Sequence, residues 1–263
     1  MPRVREFARL RFADAFVYAE SSDDAWIELD AAPWLDGRAT GRRWPRGSAT
    51  LLAPVTPSKI VCVGLNYAAH VAESATVVPA GAAPGEPLLF LKPPSAVIGP
   101  GDAIRYPTGG TRLDPEAELA VVIGRRLRHA SLEQAAAGIA GLTAFNDVSA
   151  RNYQRSDGQW TRAKGFDTFA PIGPVVVAGL AAEGRSVECR VNGAMRQHGN
   201  TSDLIVPVPE LVRYISRIMT LEPGDVIATG TPAGVGPVQV GDRVEVSVDG
   251  IGTLENPVTE ELA

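Results

Sequence analysis

Two glutamates mark the stretch of this 263-residue chain where chemistry is expected. Glu116 and Glu118 stand two residues apart at the start of an apolar run that ends at Gly124. Alternate side chains of a strand share one face, so the two carboxylates would lie side by side. Like charges repel, and burying them unpaired is costly, which a bound cation would resolve. On spacing alone, two exposed acids at a strand end remain the alternative.

A third acid strengthens the cation hypothesis. Asp147 follows the strand-like segment 141–145 and would complete a set of three hard oxygen ligands with Glu116 and Glu118. Such a set suits Mg²⁺ or Mn²⁺, with water or substrate in the remaining positions. Zinc is less suited because the site lacks cysteine and has at most one nearby histidine. Taken alone, Asp147 in an Asn-Asp pair is more often a turn residue.

Two cations follow the third acid. Arg151 lies four residues after Asp147, and Lys164 lies in a polar loop that also contains Trp160 and Phe166. Beside an anionic substrate they would neutralise a carboxylate and stabilise developing negative charge. For each cation taken singly, a solvent-exposed position is the alternative.

Residues for proton transfer and anion binding come from two other segments. His70 and Glu73 are neighbours if segment 68–74 is helical, as its composition suggests. A glutamate beside an imidazole fixes its tautomer and raises its basicity, so His70 could take a proton from water. The Gly-rich turn 230–236 could hold a carboxylate with its N–H groups and the Thr231 hydroxyl. It does not match the spacing of a phosphate-binding loop.

The elements that must position these groups are mostly short strands. Apolar runs predict strands at 59–64, 87–92, 113–124, 139–145 and 171–177, and a hairpin turn at Asn192-Gly193. A helix is predicted after Ser131, a plausible N-cap with Gln134 three residues on, and a second over 209–220. Without regular βαβ alternation, the fold class is α+β and β-rich. Segment 75–85 is weakly structured and suited to a mobile lid.

The domain division expected from the sequence places a small N-terminal domain at residues 1–54 and a larger domain at 55–263. The first segment has short alternating strands and a Gly/Arg-rich stretch, and Pro54 and Pro57 stiffen the connection to the second.

The composition excludes several function classes. The formal net charge of −5 disfavours nucleic acid as a partner, and no apolar run approaches the length of a membrane span. The N-terminus has no apolar core of a secretory signal, and two cysteines do not form a disulfide framework. A cytoplasmic location is expected.

Taken together and in this order, these motifs resemble the fumarylacetoacetate hydrolase family. No single motif decides the resemblance, but the ordered set is specific. The matching stretches are Val63-Gly64-Leu65-Asn66-Tyr67-Ala68-Ala69-His70, Phe90-Leu91-Lys92-Pro93, Glu116-Ala117-Glu118-Leu119, Asn146-Asp147-Val148-Ser149-Ala150-Arg151, Lys164-Gly165-Phe166-Asp167, Gly173-Pro174, Val191-Asn192-Gly193 and Thr229-Gly230-Thr231-Pro232-Ala233-Gly234-Val235-Gly236.

The resemblance implies a mixed β-sandwich roll, usually dimeric, with Mg²⁺ or Mn²⁺ on the acidic triad. It implies a lid helix carrying the His70/Glu73 pair and a catalytic role for Lys164. Predicted substrate contacts are Arg151, Gln154, Thr231 and Lys92. The N-terminal unit is similar to that of the bacterial branch often assigned to aromatic catabolism. Segment 74–85 is the least family-like part.

The reaction implied is cleavage of a C–C bond in a 2-oxo or 2,4-dioxo acid through a metal-stabilised enolate. With His70 and Glu73 delivering hydroxide, an acylpyruvate or fumarylpyruvate would be hydrolysed, which is the favoured hypothesis. Decarboxylation of an oxaloacetate-like acid, or isomerisation of a 2-hydroxyhepta-2,4-diene-1,7-dioate-type substrate, would use the same enolate. A non-catalytic, metal-dependent binder of small acids is the alternative from another class.

Overall fold

The computed structural model describes residues 3–12, 15–73, 86–109 and 112–261. The strands are β1 Arg5–Phe12, β2 Ala15–Ser21, β3 Ala25–Leu29, β4 Ala39–Pro45, β5 Thr50–Leu52, β6 Ile60–Gly64, β7 Leu88–Lys92, β8 Val97–Ile98, β9 Ile104–Tyr106, β10 Leu113–Asp114, β11 Ala117–Ile123, β12 Ile139–Asn146, β13 Ser149–Ala150, β14 Ala170–Ala178, β15 Ser186–Val191, β16 Ala194–Asn200, β17 Val226–Ala228, β18 Arg243–Val248 and β19 Gly252–Glu260. The helices are α1 Ala68–Glu73, α2 Leu132–Ala137, α3 Arg151–Asp157, α4 Thr161–Lys164 and α5 Val208–Ile218.

Most strands join one large mixed sheet in the order β4-β3-β2-β1-β14-β12-β11-β17-β6-β7. A second, five-stranded sheet has the order β16-β15-β18-β19-β9 and packs on β11, β12 and β14 of the first. The N-terminal strands extend the large sheet, because β1 pairs antiparallel with β14 and places Phe7 opposite Val176. The expected β-rich α+β sandwich is confirmed.

Strand β11 lies between two cores and is buried along its whole length. Leu119, Val121 and Ile123 pack into the core shared with the second sheet, whereas Ala120 and Val122 pack into a smaller core on the opposite face. By the same alternation, the side chain of Glu118 falls on the side of the smaller core. The continuous apolar run after the glutamates therefore reflects burial on both faces of this strand.

The buried position of Leu119 allows a stability prediction. Leu119→Ala should lower the free energy of unfolding by about 2–5 kcal/mol, since a fully buried side chain leaves a cavity between packed sheets. Leu132→Ala is the control, because Leu132 is 45% exposed. Urea unfolding measures both. An equal loss of stability in the two variants would contradict the position of β11 in the core.

Local sequence signals account for several connections. Ser131 caps α2 with a complete capping box to Gln134, as expected. Asn192 and Gly193 have φ of 52° and 78°, which suits the tight turn between β15 and β16. The expected polar loop at 159–169 contains a short helix, α4. A second unexpected helix, α3, buries only Gln154, so no apolar period could have indicated it.

The sequence also predicts a lid segment and the absence of membrane spans. The predicted lid segment 75–85 lies outside the described residues. Within the ranges given above, none of the helices has the length and apolar character needed to cross a membrane.

Candidate metal centre and active site

The three acids predicted from the sequence meet in space. One carboxylate oxygen from each of Glu116, Glu118 and Asp147 lies within 4.8 Å of the others, and all three residues are buried. The meeting follows from strand pairing: β11 begins opposite the end of β12, with Ala117 facing Asn146. The Asp147 N–H also donates to the Glu116 carbonyl at 2.9 Å, which closes the corner.

Each of the three acidic residues has a hydrogen-bond partner that it does not share with the other two. The Asn146 side chain accepts from the Glu116 N–H at 3.0 Å, and the Gly230 N–H donates to Glu118 Oε2 at 2.7 Å. Lys92 is fully buried and donates to Asp147 Oδ1 and to the Val148 carbonyl. Lys92 is thus a partner of Asp147 and is not among the residues that line the adjacent cavity.

Lysine and arginine side chains balance the acidic cluster. Lys164 Nζ is buried 2.8 Å from Glu116 Oε2 and 2.6 Å from Asp147 Oδ2. Arg151 is ion-paired with Glu116 and donates to Gln154 Oε1 at 2.7 Å. The predicted association of both cations with the acids is therefore present in the structure.

The two glutamates have opposite electrostatic surroundings. Burial alone would raise the pKa of Glu116, but Arg151 and Lys164 outweigh it and hold the pKa below its ordinary value. Burial, reinforced by the charges of Asp147 and Glu116, raises the pKa of Glu118 well above its ordinary value. Among the described residues, no lysine, arginine or histidine forms an ion pair with Glu118, so this carboxylate would gain most from a metal ion.

A proton should therefore leave Glu118 when a metal binds. We expect Mn²⁺ affinity to rise with pH until Glu118 is ionised in the metal-free protein, since proton and metal compete for one carboxylate. Calorimetric titration in buffers of different ionisation enthalpy measures the released proton. Buffer-independent binding enthalpies over the acidic to neutral range would contradict the raised pKa.

The acids open onto a cavity of about 240 Å³. It is lined by Val63, Gly64, Leu65, His70, Glu73, Phe90, Arg112, Asp114, Glu116, Glu118, Asp147, Arg151, Gln154, Arg155, Trp160, Lys164, Thr231 and Val235. The predicted proton-transfer pair, the three predicted metal ligands, Lys164 and three of the four predicted substrate contacts thus line one cavity.

His70 and Glu73 lie together at the cavity wall. Their Nδ1 and Oε2 atoms are 3.7 Å apart, and the Gly234 N–H donates to the same Glu73 oxygen at 3.0 Å. Burial lowers the pKa of His70, with a further lowering from Arg151, against the raising effect of Glu116 and Glu73. The imidazole is therefore neutral near pH 7 and able to accept a proton.

The hydroxyl of Thr231 is engaged inside the protein. It donates to the Ala117 carbonyl at 2.8 Å and accepts from Gln197 Nε2 at 2.7 Å. Its single hydrogen is therefore not directed at a substrate carboxylate. The sequence also predicts that N–H groups of the Gly-rich turn bind a carboxylate. The Gly230 N–H does donate to a carboxylate, which is the side chain of Glu118.

Sequence reasoning missed Asp114 and Gln197. Asp114 is fully buried and accepts from Arg112 and Arg151, each at 2.9 Å. The sequence contains a signal for Asp114, because this residue continues the two-residue spacing of Glu116 and Glu118. Gln197 gave no such signal, since it stands in a polar stretch of an edge strand.

Comparisons with known proteins agree with this geometry. Residues 59–259 match the family model of the fumarylacetoacetate (FAA) hydrolase C-terminal domain, and residues 6–54 match the Rv2993c-like N-terminal model. The chain belongs to the fumarylacetoacetate hydrolase family. Protein Rv2993c of Mycobacterium tuberculosis is 49% identical over 92% of this chain and 91% of its own length.

Other members of the fumarylacetoacetate hydrolase family carry named activities. The human mitochondrial oxaloacetate tautomerase FAHD2A is 42% identical, covering 81% of this chain and 71% of its own. A 2-hydroxyhepta-2,4-diene-1,7-dioate isomerase from Mycobacterium marinum superposes with a TM-score of 0.89 at 42% identity, covering 98% and 99% of the two chains. A maleylpyruvate hydrolase from Sphingobium sp. SYK-6, solved with manganese(II) and pyruvate, has a TM-score of 0.78 at 28% identity, covering 98% and 100%.

The acidic triad fits a divalent metal such as the manganese(II) ion that the maleylpyruvate hydrolase neighbour binds. Three buried carboxylates supply hard oxygen donors, and Glu118 is held in place by a main-chain N–H. Such donors suit Mg²⁺ and Mn²⁺ alike. The site could therefore hold either ion through Glu116, Glu118 and Asp147.

Proposed function

We propose that this chain is a divalent-metal-dependent enzyme that enolises a 2-oxo or 2,4-dioxo acid. The observation that supports this proposal is that one cavity of about 240 Å³ is lined by the acidic triad, the buried Lys164, the partly buried Arg151 and the buried imidazole of His70. A bound Mg²⁺ or Mn²⁺ would supply a Lewis acid that polarises the 2-oxo group. Removal of a proton from C3 then leaves an enolate.

The protein's own residues would divide the remaining work. Lys164 would add positive charge where negative charge develops on the 2-oxo oxygen. Arg151, whose guanidinium donates to Asp114, Glu116 and Gln154, would face the substrate carboxylate with its remaining N–H groups. His70 would accept the C3 proton, and Glu73 would stabilise the imidazolium that forms.

Return of the proton completes a keto–enol tautomerisation or a double-bond isomerisation, and we favour this outcome. It needs no group beyond the divalent metal ion and the residues that line the cavity. Two relatives that are 42% identical to this chain have names that state a reaction, an oxaloacetate tautomerase and a 2-hydroxyhepta-2,4-diene-1,7-dioate isomerase. Both reactions move protons and double bonds. The substrate class that follows is a 2-oxo acid or its enol.

Hydrolysis of a C–C bond, which the sequence favours, is the second candidate. His70 and Glu73 could activate a water for attack on a second carbonyl, and the maleylpyruvate hydrolase neighbour has the same fold at 28% identity. Decarboxylation would need no such water. The homodimer expected from the resemblance stays a prediction.

A product assay separates these outcomes. The Mg²⁺-loaded protein would be mixed in turn with the enol of oxaloacetate and with an acylpyruvate. Enol decay is followed by ultraviolet absorbance, and released pyruvate by coupled reduction to lactate. Tautomerisation predicts accelerated enol decay without pyruvate from either substrate. Pyruvate from the acylpyruvate would establish hydrolysis instead. If neither faster enol decay nor pyruvate release is observed, the result contradicts the proposal of an enolising enzyme.

A further inference from the structure

Gln197 is a buried polar residue that reaches the active site from the second sheet. It lies on β16, an edge strand whose neighbours Arg196 and His198 are exposed, yet only 1% of Gln197 is exposed. Its side chain makes three hydrogen bonds, to Ala117 of β11 and to Thr231 and Pro232 of the Gly-rich turn.

These bonds form a closed ring. Gln197 Oε1 accepts from the Ala117 N–H at 2.9 Å, the Ala117 carbonyl accepts from the Thr231 hydroxyl at 2.8 Å, and the Thr231 hydroxyl accepts from Gln197 Nε2 at 2.7 Å. Both polar groups of Ala117 are thereby satisfied by side chains. Ala117 is the residue between Glu116 and Glu118, so the ring fixes the peptide that carries both carboxylates.

The ring also fixes the turn that holds Glu118 from the other side. Thr231 directly follows Gly230, whose N–H donates to Glu118 Oε2 at 2.7 Å. Gln197 Nε2 donates to the Pro232 carbonyl at 2.8 Å, beyond Thr231. One side chain thus sets the distance between the metal-binding strand and the turn.

We propose that Gln197 is a positioning residue for the metal centre, which acts by locking Ala117 and Thr231 in one hydrogen-bonded ring. This inference rests on the proposed metal-dependent function. A glutamine is required because the ring needs an acceptor and a donor on one planar group. Leucine supplies neither, and an ionised glutamate supplies only acceptors, which leaves the Pro232 carbonyl without its donor.

Binding of Mn²⁺ to purified full-length variants tests the proposal without relying on turnover. Gln197→Leu should raise the dissociation constant of Mn²⁺ by about 10–100-fold, the usual cost of losing a group that orients metal ligands. Gln197→Glu should give a smaller increase, since it keeps an acceptor for the Ala117 N–H. Met195→Leu, at a 42% exposed position of the same strand, is the matched control and should leave the constant unchanged.

A double-mutant cycle distinguishes positioning from general destabilisation. Thr231→Val removes the hydroxyl from the same ring, so its effect on Mn²⁺ affinity should largely disappear in the Gln197→Leu background. If Gln197 has only a structural role, Gln197→Leu should lower the thermal midpoint but leave Mn²⁺ affinity within twofold of the parent, and this result would overturn the proposal. Additive effects of Gln197→Leu and Thr231→Val on Mn²⁺ affinity would also overturn it. If the parent protein itself fails to bind Mn²⁺, the proposed function fails first, and this outcome is distinct from the others.

Discussion

Glu118→Gln is expected to abolish tight metal binding while leaving the metal-free protein at least as stable as the parent at neutral pH. The amide keeps an oxygen that can accept from Gly230, but it cannot ionise beside the charges of Asp147 and Glu116. Loss of a ligand should exceed the 10–100-fold effect of outer partners, so we expect a loss of Mn²⁺ affinity above about 100-fold. Calorimetric titration and urea unfolding of the same samples measure both effects.

The direction of the stability effect follows from the raised pKa of Glu118. The folded carboxyl binds its proton more tightly than the unfolded one, so its favourable contribution is present below the unfolded pKa of about 4.3. That contribution is lost as the pH rises through the raised folded pKa. Stability should therefore fall as the pH rises from about 4.3, and an uncharged amide at position 118 removes this loss.

Glu183→Gln is the control for this prediction, because Glu183 is exposed and remote from the cavity. It should change neither Mn²⁺ affinity nor stability. A Glu118→Gln variant that binds Mn²⁺ as well as the parent would return Glu118 to an acid without a metal role. A large loss of stability would instead mean that the carboxylate supports the fold.

His70→Ala should lower kcat by about 100- to 10,000-fold, the range contributed by a positioned acid–base group. Metal affinity should remain near that of the parent, since His70 lies outside the acidic triad. Because burial lowers the pKa of His70, the parent's activity at saturating Mg²⁺ should persist below about pH 6.5, where an ordinary histidine is protonated. Steady-state kinetics across pH measure both effects.

His198→Ala is the matched control, because the His198 side chain is 65% exposed on β16 and also faces a glutamate. Its kcat should equal that of the parent. Equal activity of His70→Ala and the parent would remove His70 from the proton path. A loss of Mn²⁺ affinity in His70→Ala would show that the imidazole supports the metal centre instead.

The sequence was most informative where chemistry and strand period coincide. Glu116 and Glu118 could be placed on one face from their spacing, and Asp147 from its position after a strand. The partner of the Gly-rich turn could not be foreseen. Its Gly230 N–H suits any carboxylate, and only the pairing of β11 with β17 brings Glu118 to it.

Other features depend on contacts between distant segments. The sequence predicts that Lys92 contacts substrate. In the structure Lys92 lies at the end of β7, which pairs with β6, and its buried side chain forms an ion pair with Asp147. Gln197 enters the site from the second sheet and is 80 residues from Ala117 and 34 residues from Thr231 along the chain. Helix α3 forms around Arg151 and Gln154, which face the cavity, so no apolar stripe identifies it.

Proton exchange at the methyl group of pyruvate in deuterated water tests the central claim most directly. Proton nuclear magnetic resonance would follow the loss of the methyl signal with the Mg²⁺-loaded protein, with the chelated protein and with Glu118→Gln. Metal-dependent enolisation predicts rapid exchange with the first and only the background rate with the other two. Equal exchange in all three samples would contradict it.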